Sequence, residues 1–159
     1  MFWKRKSNQV ASVRRGFSVP EGQRVYAIGD IHGRDDLFKM MIDLIQADHA
    51  ARAPAELTLV LLGDLVDRGP QSAQVVERAM NLRKEFPTMR YLIGNHEECF
   101  LASLTGNVRR LRYFMRIGGD ATVQSYWPDD ENFAAASFEE VAERLPELVP
   151  SSHVEFLGA

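Results

Sequence analysis

The sequence predicts an α/β fold that opens strand–helix–strand–helix–strand around a parallel sheet. Three observations carry this. Residues 24–29, 57–62 and 89–93 are short, β-rich apolar runs, two amphipathic segments separate them, and a glycine closes each run.

The elements follow in order. Order is expected to begin after Pro20-Glu21-Gly22, with residues 1–22 as a basic, solvated tail carrying Lys4, Arg5, Lys6, Arg14 and Arg15. Residues 24–29 read as a buried strand. Asp35 or Asp36 then caps a helix whose apolar face is Leu37, Met40, Met41, Leu44 and Ile45. Residues 57–62 are apolar on both faces, which suits a central strand covered on both sides. After Gly69-Pro70 a helix over 72–85 offers Val75, Val76, Ala79, Met80 and Leu82 to the core, and 89–93 is the third strand.

Beyond Gly94 the pattern turns helical, an insert of about 97–157. A helix over 97–104 precedes Thr105-Gly106-Asn107. Arg109, Arg110, Arg112 and Arg116 then crowd one stretch, either as a solvated face or to recognise an anionic substrate. Gly118-Gly119 breaks that stretch, and 127–132 reads as an acidic loop. Ser137 with Glu140 forms a capping box for a helix to about Leu145, and Pro146 and Pro150 punctuate its end.

Composition bounds the function. At 159 residues, 45% hydrophobic and 26% charged, the chain is of ordinary globular make-up. A formal net charge of −3 gives no electrostatic case for bulk nucleic-acid binding. The single cysteine, Cys99, excludes an internal disulfide and a thiolate zinc site, and on a helix it reads as a small hydrophobe; a reducing, cytoplasmic setting is the expectation. No apolar run approaches the roughly 20 residues of a membrane span.

Three motifs carry chemistry, each just beyond a strand: Gly29-Asp30-Ile31-His32-Gly33, Gly63-Asp64-Leu65-Val66-Asp67-Arg68-Gly69 and Gly94-Asn95-His96-Glu97. Alone, the first is a loop, the second a surface turn and the third a helix start with Asn95 as N-cap. Together and in order they predict convergence on the rim beyond the carboxyl ends of parallel strands, where ligands of open α/β sheets bind. Asp30 and His32 can aim at one ion, Asp64 has two oxygens with which to bridge two, and Asn95 offers an amide oxygen to the second. Asp, His and Asn without thiolate favour manganese, iron or zinc. A pair of ions about 3.5–4 Å apart can activate water and neutralise a phosphoryl group. Asp67 is placed to orient His96 as general acid, and Arg68 to grip phosphate. No Gly-x-Gly-x-x-Gly follows the first strand, which argues against a dinucleotide-binding module.

These motifs resemble those of the calcineurin-like metallophosphoesterases. Gly-Asp-x-x-Asp-Arg-Gly with Gly-Asn-His-Glu is similar to the phosphoprotein-phosphatase branch, with its bacterial serine/threonine phosphatases and symmetrical dinucleoside tetraphosphatases. The segment Gly118-Gly119-Asp120-Ala121-Thr122-Val123-Gln124-Ser125-Tyr126 also resembles bacterial members. The resemblance implies two divalent metal ions. Asp30, His32 and Asp64 hold the first, Asp64 and Asn95 part of the second. His96 is then the acid, Asp67 its orienter and Arg68 a phosphate clamp, with water attacking phosphorus directly. It implies a β-sandwich flanked by helices, of which this chain holds the N-terminal part. The family completes its second metal site with two later histidines; here His49 sits at a helix end and His153 at a helix start. A fragment inactive by itself is therefore expected, serving at most as a weak metal-binding or interaction module. The substrate is a phosphorylated protein or a nucleotide, with a lean to phosphoprotein.

Overall fold

The computed structural model describes residues 18–127 and 130–159. Residues 1–17 of the expected tail lie outside them. The order is β1 (Gln23–Ile28), α1 (Asp35–Ala50), β2 (Glu56–Leu61), α2 (Ser72–Glu85), β3 (Met89–Tyr91), α3 (Asn95–Ser103) and α4 (Val108–Phe114). A π-helical turn (Met115–Gly119) leads to α5 (Asp120–Tyr126), α6 (Asp130–Ala135), α7 (Phe138–Leu148) and α8 (Ser151–Leu157). The sheet is parallel in the order β1-β2-β3, with Tyr26 opposite Leu59 and Leu59 opposite Met89. The two crossover helices, α1 and α2, touch, as expected when both connections between successive parallel neighbours lie on one face.

That one-sided packing corrects two expectations. Leu59 and Leu61 are fully buried in the core with Phe38, Val75, Val76 and Ala79. The opposite face of β2 is not covered to the same degree: Thr58 and Val60 are half-buried and Leu62 is exposed, as are Val25 and Leu92 on either side. On α1 the apolar residues form two stripes, and the core takes Phe38, Ile42 and Ile45 while Leu37, Met40, Met41 and Leu44 stay exposed. Both stripes satisfy helical spacing, so periodicity alone could not choose between them. Asp35 and Asp36 lie inside the first turn and do not cap it. Asp35 instead takes the Arg78 guanidinium of α2, tying the two crossover helices.

Other boundaries shift less. β3 stops at Tyr91, and the helix after it starts at Asn95, so Gly94 and not Asn95 occupies the N-cap. The acidic stretch already turns helical at Asp130, while 128 and 129 lie outside the described residues. The Ser137–Glu140 capping box forms as expected, with Ser137 N–H donating to Glu140 Oε2 at 2.7 Å and Glu140 N–H to Ser137 Oγ at 3.2 Å. That helix tolerates Pro146 and runs to Leu148, because Leu145 and Val149 bury this turn in the core. The helices from α3 onward pack on the same body: α5 and α8 touch α2, and Phe100 of α3 stacks on Phe114 and Tyr126.

Candidate metal centre

The parallel sheet brings the three motifs to one rim, since each is the loop leaving the carboxyl end of its strand. The loops lock to one another through their backbones. Ile31 and His32 N–H donate to Asp64 O at 3.0 and 2.9 Å, and Gly33 N–H donates to Leu65 O at 2.8 Å. Gly33 and Gly69 pass so closely that a Cβ on either would collide with the other's backbone. Four non-glycine residues of these loops take left-handed backbone: His32 (φ 46°), Asp64 (φ 52°), Asp67 (φ 74°) and Arg68 (φ 67°). Such conformations cost on the order of 1 kcal/mol or more each and persist where surroundings over-determine them.

Glu97 supplies much of that determination. Its side chain is fully buried and accepts from Asp64 N–H and Gly94 N–H at 2.8 Å through Oε2, and from Leu65 N–H at 2.8 Å and Val66 N–H at 3.2 Å through Oε1. One carboxylate thus pins the loop after β2 to the loop after β3. Sequence reasoning named Glu97 only as the last letter of a motif.

Asp67 is held as tightly. It is fully buried, its N–H donates to Thr122 Oγ1 at 2.7 Å and Ser72 Oγ at 3.2 Å, and Thr122 Oγ1–H donates to its Oδ1 at 2.8 Å. Burial pushes the Asp67 carboxyl above the usual range, opposed by its hydrogen bonds from His96 and Thr122. Its other oxygen, Oδ2, accepts from His96 Nδ1 at 2.6 Å. With Nδ1 so committed, His96 turns Nε2 toward the rim.

His32 is fixed in the same manner: Nδ1 donates to Val66 O at 2.8 Å, a carbonyl that can only accept. Its Nε2 therefore carries a lone pair into the site. Arg68 spans the two rings, NH1 at 2.6 Å from His32 Nε2 and NH2 at 3.2 Å from His96 Nε2. Its own N–H donates to Gly118 O at 2.8 Å. Gly118 takes φ 108° to present that carbonyl, a backbone only glycine adopts freely.

His32, Asp64 and His96 offer ligand atoms within 4.8 Å of one another. Asp30 lies beside them, Oδ2 3.6 Å from His32 Nε2, with its side chain largely exposed. Asn95 is exposed at the first position of α3, next to His96. The two spare histidines go elsewhere. His49 takes Arg24 at 2.9 Å, and His153 is buried in α8 between Tyr126 at 2.9 Å and Glu77 at 3.1 Å. The donor chemistry suits a divalent cation: an imidazole lone pair and a carboxylate converge on a space now held by another cation, the Arg68 guanidinium.

The family model for calcineurin-like phosphoesterases matches residues 23–148. The chain belongs to that family. Among curated relatives of this calcineurin-like phosphoesterase is a protein of Acidovorax ebreus (strain TPSY), 40% identical over 88 residues, or 55% of this chain and 28% of the relative. A protein of Delftia acidovorans is 41% identical over 86 residues, 54% of this chain and 27% of the relative. Both carry the name symmetrical bis(5'-nucleosyl)-tetraphosphatase. The matching stretch thus spans little more than a quarter of each. No helix among the described residues is long and apolar enough to cross a membrane.

Proposed function

We propose that this chain carries the metal-binding and proton-donating half of a hydrolase that splits a dinucleoside tetraphosphate symmetrically, at the central anhydride, into two nucleoside diphosphates. The observation that carries the hydrolase reading is the meeting of His32, Asp64 and His96 around the Arg68 guanidinium. The substrate comes from the relatives' names. They favour a nucleotide over the phosphoprotein that the Asp67-Arg68-Gly69 and Asn95-His96-Glu97 context had favoured.

Asp30, His32 and Asp64 would hold one divalent ion, and Asp64 with Asn95 part of a second, manganese being the first candidate and iron or zinc the others. Such a pair, when bound, supplies Lewis acidity to the phosphoryl oxygens and to the attacking water. The protein's own residues do the rest. A cation on His32 would need the lone pair that Arg68 now occupies, which would leave the guanidinium free to hold two phosphoryl oxygens with its planar fork. Water attacks phosphorus as the bridging oxygen departs. His96 delivers a proton from Nε2 to that oxygen, while Asp67 holds the ring at Nδ1. Thr122 and Ser72 hold Asp67, and Glu97 holds the loop that bears Asp64.

The test is product analysis with manganese, on the 159-residue chain and on a form extended to the length of the relatives. Diadenosine tetraphosphate should give ADP alone, faster than a phosphoserine peptide releases phosphate. Preference for the peptide would return the site to the protein-phosphatase reading; turnover of neither by either form would end the hydrolase reading. Asp64→Asn should lose more activity and metal than Asn95→Ala, because Asp64 would touch both ions and bring charge.

A further inference from the structure

We propose that the furrow between α3 and α4 is a second anion subsite, which takes the distal phosphates and base of a polyphosphate-bridged nucleotide whose reacting phosphate lies at Arg68. The inference rests on the tetraphosphatase reading and extends it to residues that nothing in the three motifs includes.

Topology points the furrow at the site. α3 leaves the rim at Asn95, the chain turns over 104–107, and α4 packs back along α3. At the returning end, the π-helical turn puts Gly118 against the Arg68 side chain and its carbonyl on the Arg68 N–H. Both walls of the furrow therefore begin beside the proposed site, one at Asn95 and the other at Gly118 against Arg68. On the α3 wall, Cys99 and Ala102 follow Asn95 at four and seven residues, on its own helical face. On the other wall, Arg109 and Tyr113 of α4 and Arg116 of the π-helical turn line one surface. Two hollows of about 630 and 330 Å³ lie along this surface and share Arg109 and Tyr113 as lining residues.

The charges there are left over. Three arginines elsewhere are matched by carboxylates: Arg34 with Asp36, Arg52 with Asp48, and Arg78 with Asp35. Along α4, only Arg112 meets a carboxylate, Glu139 at 3.5 Å, and it also covers the Phe138 ring. Arg109, Arg110 and Arg116 have no ion pair among the described residues, although the chain as a whole is net acidic. Like charges at three- and four-residue spacing destabilise a helix, a cost that an anion bound across them reverses. The ring of Tyr113 is exposed in their midst, with the Arg116 guanidinium 5.8 Å from its centroid. An exposed aromatic face flanked by guanidinium groups suits a stacked nucleobase joined to phosphate. A monophosphate ester would fill Arg68 and leave this furrow unused; a tetraphosphate with a base at each end would not.

Cys99 reports on the furrow because it lines the hollow, is half-buried and is the sole cysteine. The experiment is the rate of N-ethylmaleimide labelling of Cys99 in the metal-free chain, with inorganic tripolyphosphate, diadenosine tetraphosphate or AMP as the probe. Tripolyphosphate and diadenosine tetraphosphate should slow labelling at least tenfold, and AMP, with its base but a single phosphate, by a smaller factor than either. The triple variant Arg109→Ala/Arg110→Ala/Arg116→Ala should need at least tenfold more tripolyphosphate for the same protection, and the corresponding Arg→Lys triple should recover most of it. Unprotected labelling in the wild-type chain, or equal protection in the alanine triple, overturns the subsite. ADP release by the extended form, read in parallel, separates the two readings. Protection without ADP release retains the subsite and defeats the tetraphosphatase reading; ADP release without protection defeats the subsite alone.

Discussion

Thr122 and Asp67, 55 residues apart, close a ring of two hydrogen bonds: the Asp67 N–H donates to Thr122 Oγ1, and the Thr122 hydroxyl donates back to Asp67 Oδ1. The helical region after α3 is thereby tied to the candidate centre, since α5 holds the carboxylate that holds His96.

Thr122→Val keeps the side-chain shape and removes both bonds, together with the contact between the Thr122 and Ser72 hydroxyls at 2.8 Å. It leaves a buried N–H with only Ser72 at 3.2 Å and one carboxylate oxygen unpaired. The expected loss is about 2–4 kcal/mol of stability, from buried groups at about 1–3 kcal/mol each. Turnover should fall more than KM rises, because Thr122 acts through Asp67 and touches no substrate. Thr122→Ser, which keeps the hydroxyl, should recover both; a Thr122→Val enzyme with wild-type kcat would remove Thr122 from the support of the acid.

His96→Asn separates proton donation from metal binding. A general acid contributes about 10²–10⁴-fold, mostly where the leaving group is poor. The variant should therefore lose far more rate on an alkyl phosphate than on p-nitrophenyl phosphate, with its metal content unchanged. Metal analysis beside the two assays checks this. Loss of metal would make His96 a ligand, and equal loss on both substrates would give it another task, such as holding the phosphoryl group.

Away from the site, Asp48 anchors the end of α1. Hydrogen bonds from Arg52, and then from the Tyr26 hydroxyl at 2.6 Å, lower its carboxyl to about 2. A carboxyl held below its unfolded value of about 3.9 adds stability above that pH, and the contribution disappears as pH falls toward 2. Asp48→Asn should thus bring the urea midpoint down at pH 6 and leave it nearly unchanged at pH 2. A constant difference across that range would show that the ion pair contributes nothing pH-dependent.

The legible parts of this protein were those written in contiguous letters. The three strands and two crossover helices follow from apolar runs, and the three motifs from their glycines, so the sequence places Asp30, His32, Asp64 and His96 beyond neighbouring strand ends. Choices between equivalent patterns were not legible. Ile42 and Met41 both fit a helical stripe, and only the one-sided sheet decides that Ile42 goes inside. Nor were the supports of the site legible, because their partners are distant in the chain: Thr122 meets Asp67 across 55 residues, and Glu97 meets Leu65 across 32. A buried Glu near a helix start reads from sequence as a favourable charge on the helix dipole, a role that a surface residue fills equally well.

Glu97 is the most exacting test of how the loops of the candidate metal centre are held. Its carboxylate accepts four backbone N–H groups, two on each oxygen, and no solvent reaches it to compensate for a loss. Glu97→Gln is nearly isosteric but places an NH₂ group where one oxygen stood. That group faces two donors, so two hydrogen bonds are lost and two buried N–H groups are left unpaired. Hydrogen bonds to charged groups are worth about 1.5–3 kcal/mol, so a loss of about 3–6 kcal/mol is expected. At about 2–4 °C per kcal/mol for a chain of this size, the melting midpoint should fall by roughly 6–24 °C. Metal affinity should fall with it even where the protein remains folded. Asp64 N–H is one of the four donors, and the left-handed backbone that aims Asp64 is retained by those bonds. A melting curve and a manganese titration of the same sample check both parts. A variant that melts early but binds manganese as the wild type does would make Glu97 a purely structural brace and leave the aim of Asp64 to its contacts with the loop after β1.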